Sequence, residues 1–296
     1  MKENFSRREF IKACTIYSLA SIVKPKRFEF DWKNDVPPSL MLHSANIKFF
    51  PELIPLIQDN FFTITYEDWK AEIKRRNKSI QMISRKLCIE EDILSGFTDV
   101  QYLDKLPLII SIDDVGTSWI RKEHLDMFEY LDNRCMRAVI GIQPDKRISE
   151  YDHYWQILLN LSENGWELAT HTITHPPLTR VSKQRVDYEV GESCNRIEEA
   201  VGRKPITLIA PFGDSWPPTN YREGNMNLYK SCQNFEIEYI AGIAAGRTLL
   251  DLDSLDEVLH HYEMDDIPKY VGRVIPDSNS NITLERLLNF KIGGYS

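Results

Sequence analysis

Apolar runs and polar breaks alternate along this chain from Pro37-Pro38 onward. Seven short apolar stretches read as strands: Ser39–His43, Phe61–Tyr66, Leu106–Asp114, Ala138–Ile142, Trp166–His171, Ile206–Phe212 and Glu238–Ile243. Most are continuously apolar rather than alternating, the pattern of parallel strands covered on both faces. Stretches of helical period lie between them. The clearest begins after Ser182, a suitable N-cap, where Val186, Val190, Cys194, Ile197 and Val201 keep one face apolar. Gly202 then stands where a C-terminal glycine belongs. Residues 66–105 read as helix and irregular segments within the same unit rather than a separate domain. Repeated β–α units over about 200 residues predict a barrel-like α/β fold of about seven parallel strands, with its chemistry just beyond the strand C-termini.

Charge changes this picture at one end. The formal net charge is −8, but residues 1–27 hold seven Lys/Arg against two Asp/Glu. Without that segment the remainder carries −13, an acidic body that excludes nucleic acid as its main partner and suits a neutral or cationic ligand. The same segment contains SRREFIK (Ser6–Lys12), which resembles a twin-arginine export signal, then the mildly apolar Ala13–Val23 and a basic break. Residues 1–30 are therefore expected to export the chain to the periplasm or cell surface, or to tether it to a membrane; a basic amphipathic helix is the alternative. No apolar run reaches the ~18 residues of a membrane span. The five cysteines, Cys14, Cys88, Cys135, Cys194 and Cys232, have no metal-ligand spacing and read as small core residues.

Three strand ends carry candidate chemistry. Asp113-Asp114 closes a buried strand, so two adjacent carboxylates leave it in different directions; an acidic pair capping a turn is the plain alternative. His171 and His175 follow the Trp166 strand, and Pro176-Pro177 stops any long helix beyond them. One helical turn between the two histidines is expected to bring both imidazoles to one side. With one carboxylate they make an N/N/O set suited to Zn2+ or a neighbouring divalent metal, with a position left open for water. The third end, Ile209–Gly213 (IAPFG), is by itself no more than a proline–glycine turn.

The order SIDD, HTITH, APFG resembles the polysaccharide deacetylases, the NodB-like group also called carbohydrate esterase family four. SIDD resembles the family's T-F-D-D motif, HTITH its H-[ST]-x-x-H motif and APFG its R-x-P-[FY] motif. PPSLMLHS and FTITYEDW are similar to the opening of the exported, biofilm-polysaccharide branch. The resemblance implies a distorted (β/α) barrel, with residues 31–105 its first part and a helical insertion, and residues 106–292 the catalytic core. It implies removal of N-acetyl groups from an extracytoplasmic polysaccharide or oligosaccharide. It further implies Asp114, His171 and His175 as metal ligands, Asp113 as general base, and Pro211 with the Phe212 backbone N–H on the oxyanion side.

Two departures from the family pattern matter. The motif arginine falls at Ile209, so Asp113 must be held by something else or be less tuned; Arg273 is one candidate, since the exported branch the chain resembles has an arginine in a similar late strand. The family's late general-acid histidine would match His261 in Leu259-His260-His261, in a region that also reads as an acidic helix. His124 and His153 read as helix-surface residues, whereas His43 could line the site. Trp119 and Trp216 could stack sugar rings or simply pack. An O-acetyl esterase on the same scaffold and a non-catalytic glycan- or metal-binding protein are the competing functions.

Overall fold

The computed structural model describes residues 28–31, 37–87, 100–103, 105–145, 147, 152–213, 223–243 and 269–292. The proposed export segment, Trp216 and the His260-His261 pair lie outside the described residues. The first half runs β1 (Phe28–Asp31), β2 (Ser39–Leu42), α1 (Phe50–Asn60), β3 (Phe61–Ile64), α2 (Tyr66–Leu87), β4 (Val100–Leu103) and β5 (Leu106–Gly116). It continues through α3 (Lys122–Asp132), β6 (Val139–Gln143), α4 (His153–Glu163), β7 (Glu167–Thr170) and α5 (Lys183–Val201). The last elements are β8 (Thr207–Ile209), α6 (Glu223–Asn234), β9 (Tyr239–Ile243), β10 (Lys269–Arg273) and α7 (Ser280–Ile292).

Seven strands make a nearly closed parallel barrel in the order β10-β9-β8-β7-β6-β5-β2. Leu40 of β2 bridges Val274 just past β10, with Met41 N–H donating to the Val274 carbonyl at 2.9 Å. The fold is thus the expected distorted (β/α) barrel, with one exchange among its strands. Phe61–Ile64 is a strand, but it pairs with the first part of β5 off the barrel path. Its place in the barrel is taken by Lys269–Arg273, too short and too charged at its ends to stand out as an apolar run. A separate antiparallel pair, β1 with β4, was also not anticipated.

Buried apolar side chains drive this arrangement. Ile109, Ile110 and Ile112 of β5, Val139 and Ile140 of β6 and Leu168 of β7 join Trp69, Trp155 and Trp166 in one continuous core. The predicted helix is α5: Ser182 caps it by accepting the Arg185 N–H, and Gly202 ends it at φ 74°. Val186, Val190, Cys194 and Cys232 belong to a second cluster between α5 and α6, so two cysteines are core residues as expected, whereas Cys135 is exposed. Among the described residues no helix is long and apolar enough to cross a membrane.

One buried acid sits at the opposite end of the barrel from the strand C-termini. Glu167, at the start of β7, is fully buried and accepts hydrogen bonds from Thr207 Oγ1 (2.6 Å) and the Glu67 N–H (3.0 Å). Burial pushes its carboxyl up to about 7, from an ordinary value of 4.5. The folded state therefore binds more protons than the unfolded state between those values. Stability is fully present below about pH 4.5 and falls as pH rises through 7, by about 3 kcal/mol for a shift of that size. Glu167→Gln, which keeps the shape without the charge, should melt several degrees above the unaltered chain at pH 8. The difference should close by pH 5, and melts that run parallel across that range would contradict it.

Candidate active site

Because the barrel strands are parallel, their C-terminal ends converge on one rim. β5 reaches that rim through an irregularity. Ile112 pairs with Ile140 and Val115 with Ile142, so Asp113 and Asp114 together oppose the single residue Gly141. Such a bulge re-aims side chains, and Asp114 accordingly adopts φ 61°. The two carboxylates part company there, one turned inward and one left at the rim.

Asp113 is the inward one, buried to 2% exposure. Its Oδ1 lies 2.6 Å from Nη1 of Arg273, which is itself fully buried. Arg273 is fixed by two further bonds, Nε to the Gly242 carbonyl (2.9 Å) and Nη1 to Ser111 Oγ (2.8 Å). The last barrel strand thus brings a buried cation to the carboxylate, while Ile209, where the motif resemblance expects an arginine, is buried as an apolar residue.

Asp114 is half-exposed and faces three imidazoles. Its Oδ1 lies 3.2 Å from His171 Nε2 and 3.3 Å from His175 Nε2, and its Oδ2 lies 3.2 Å from His43 Nδ1. One ligand atom each from Asp114, His171 and His175 falls within 4.8 Å of the others. His171, then His175 and His43, hold the Asp114 carboxyl well below the usual carboxylate range, and the bond to Asp114 raises His43. The ring of His171 is oriented from behind: Nδ1 lies 2.7 Å from the Ile209 carbonyl, which can only accept. Nδ1 therefore carries a proton, and Nε2 is the ring nitrogen turned toward the Asp114 carboxylate. The donor set of two imidazoles and one carboxylate suits a divalent transition metal.

The expected helical turn between His171 and His175 is not present. Residues 171–177 form a bend, with Thr172 at φ 66° and His175 at φ 57°. The imidazoles still meet, their ring centroids 4.8 Å apart. A loop does the work of the helix because its backbone donors are taken elsewhere. The His175 N–H bonds Thr172 Oγ1 (3.0 Å), and those of Ile173 and Thr174 each bond the Glu189 carboxylate (2.8 Å). Glu189 went unnoticed in the sequence. Its signal was its place three residues after Val186 and beside Val190, on the apolar face of α5.

The third strand end turns at Pro211–Gly213, with Phe212 at φ 58°. Pro211 is buried, and the exposed Phe212 ring packs edge-on against His175, centroids 4.5 Å apart. Trp119 is partly exposed and packs on Gly116, where an added Cβ would come within 2.9 Å of the indole. Beneath it, stacked at 6.5 Å, is His124, which is fully buried and not a surface residue. The helical period explains that correction: His124, Met127, Phe128 and Leu131 form the buried face of α3. Burial pushes His124 down to about 4, so it is neutral near pH 7. His153 is exposed, as read from the sequence.

The sequence model of the polysaccharide deacetylase family matches residues 106–229, the stretch that carries all three strand ends. The solved structures similar to this chain include the deacetylase PplD of Streptococcus pyogenes in complex with acetate, at 12% identity and TM-score 0.53 over 90% of this chain and 99% of that one. BC0361, a polysaccharide deacetylase from Bacillus cereus, aligns at 13% identity and TM-score 0.54 over 88% of this chain and 69% of its own. IcaB from Ammonifex degensii aligns at 12% identity and TM-score 0.51 over 87% and 97%. At such identities these likenesses show the shared fold. No curated protein matches the chain by sequence.

Proposed function

We propose that this chain is a metal-dependent hydrolase that removes N-acetyl groups from a polysaccharide outside the cytoplasm. The observation that carries the reading is the meeting of Asp114, His171 and His175 within 4.8 Å, beside a second carboxylate held by a buried arginine. Asp114, His171 and His175 are the metal ligands, and zinc is the metal best suited to them. When bound, such a metal supplies Lewis acidity, making water nucleophilic near neutral pH and polarising an acetyl carbonyl.

The remaining work falls to the chain's own groups. Asp113 accepts the proton of the attacking water, its orientation fixed by Arg273. The Phe212 backbone N–H, beside His175 and backed by Pro211, donates to the oxyanion as it develops. An amide nitrogen cannot leave as an anion, so it must receive a proton. His43 is the described side chain placed for that delivery, and His261 lies outside the described residues. The exposed Trp119 and Phe212 offer apolar faces for sugar rings. The acidic body is compatible with a product that gains amines, and the twin-arginine-like segment supports the compartment.

Acetate release from partially acetylated glucosamine polymer, chitooligosaccharides and acetylated xylan, with and without chelator, tests this. We expect acetate from a glucosamine substrate, lost on chelation and reduced about 10²–10⁴-fold in Asp113→Asn. Acetate from xylan alone would move the reading to ester hydrolysis, and a bound metal without acetate from any glycan would overturn catalysis. Retention in the cytoplasmic fraction of the cell would refute the compartment.

A further inference from the structure

Glu189 sits on α5, fully buried among Val186, Val190, Cys194 and Ile197. A carboxylate in such surroundings costs several kcal/mol unless it is fully paired. Most of its partners belong to one loop. Oε2 accepts the N–H groups of Ile173 and Thr174, both at 2.8 Å. Oε1 accepts the Thr174 hydroxyl at 2.5 Å and lies 2.6 Å from Arg185 Nη2, one helical turn earlier on α5. Arg185 Nη2 also donates to Thr174 Oγ1 at 2.7 Å, which closes a ring of three side chains.

The loop so held is the one between His171 and His175, and it is strained. Thr172 is β-branched yet adopts φ 66°, and His175 adopts φ 57°. Left-handed conformations of this kind cost about 1–3 kcal/mol each and persist only where the surroundings over-determine them. Two local bonds contribute, Thr172 N–H to Thr170 Oγ1 (3.2 Å) and His175 N–H to Thr172 Oγ1 (3.0 Å). Bonds to a charged acceptor are worth about 1.5–3 kcal/mol each, and Glu189 supplies three of them to the two residues in the middle of the loop. Those anchors lie on a rigid helix rather than on the loop itself.

We propose that Glu189, with Arg185 as its counter-ion, is the positioning residue of the histidine loop: it sets the separation of His171 and His175 and thereby the affinity for the metal. This rests on the metal-site reading above. Glu189 touches neither metal nor substrate. It acts by holding two backbone amides in a geometry the loop would not keep alone.

The test compares the full chain with Glu189→Ala and Glu189→Gln, using Zn2+ competition against a chelating dye, the absorption spectrum with Co2+, and amide hydrogen exchange in the metal-free protein. Glutamine retains one oxygen for both backbone amides, so Glu189→Gln should bind zinc within about fivefold of the unaltered chain. Glu189→Ala should bind 10–100-fold more weakly, the usual cost of losing support behind a ligand. It should also shift the Co2+ bands and speed exchange at Ile173 and Thr174. A general loss of stability would lower the melting temperature without moving the Co2+ bands of the folded protein. Zinc affinity within threefold of the unaltered chain in Glu189→Ala would overturn the proposal. Should that variant fail to fold, Thr174→Ala removes one leg of the ring at an exposed position. A several-fold loss of zinc affinity is then expected, and no change would overturn it. If the unaltered chain itself takes up no zinc, the metal reading fails first and the inference falls with it.

Discussion

Arg273→Met is expected to cost about 3–5 kcal/mol of stability and at least about a hundredfold in turnover. The reason is the state in which it leaves Asp113. That carboxylate is 2% exposed, and its Oδ1 is held 2.6 Å from the guanidinium. Taking away one partner of a buried pair strands the other charge, which is far more damaging than replacing both. The stranded carboxylate also loses its direction, because Arg273 is pinned at Gly242 and Ser111 and transmits that position to Asp113. Lysine could not substitute, since the three bonds use two different nitrogens of a rigid fork. The double variant Arg273→Met/Asp113→Asn separates the two effects: it should recover most of the stability and remain inactive. Urea unfolding and acetate release measure the two quantities. A single variant within 1 kcal/mol of the unaltered chain and fully active would show that the pair matters to neither.

The barrel was legible because its strands are continuously apolar, and α5 because its apolar spacing, serine cap and terminal glycine agree with one another. β10 escaped because KYVGR has three residues between two cations, and what holds it in place is pairing with β9 and the bridge to Leu40, neither of which has a local signature. The strand ends were legible as an ordered set of motifs, but their local geometry was not. HTITH suggested a helical turn because the four-residue spacing fits one. The bend exists because a glutamate fourteen residues further on takes the amides that a helix would have used. Arg273 could be named as one candidate for the arginine that the resemblance expects more than sixty residues earlier, at position 209. Its contact with Asp113 depends on barrel closure, which no local window contains.

Loss of His171 should remove the metal. Binding free energies of about 10–16 kcal/mol shared among a full ligand set assign roughly 3 kcal/mol or more to each ligand, so His171→Ala should weaken zinc binding at least about a hundredfold. Zinc at a hundred times its dissociation constant should stabilise the unaltered chain by about 2.7 kcal/mol, roughly 5–10 °C in melting temperature. At that same concentration the variant should gain only about 0.4 kcal/mol, near one degree. His175→Ala should lose the zinc response equally, yet the two variants should differ without metal. His171 is buried and its Nδ1–H satisfies the Ile209 carbonyl, whereas His175 is partly exposed on the loop. Only His171→Ala strands a buried acceptor, so its metal-free form should be about 1–3 kcal/mol less stable. A zinc-induced shift in His171→Ala as large as in the unaltered chain would remove this imidazole from the ligand set, and with it the reason for the Ile209 contact behind it.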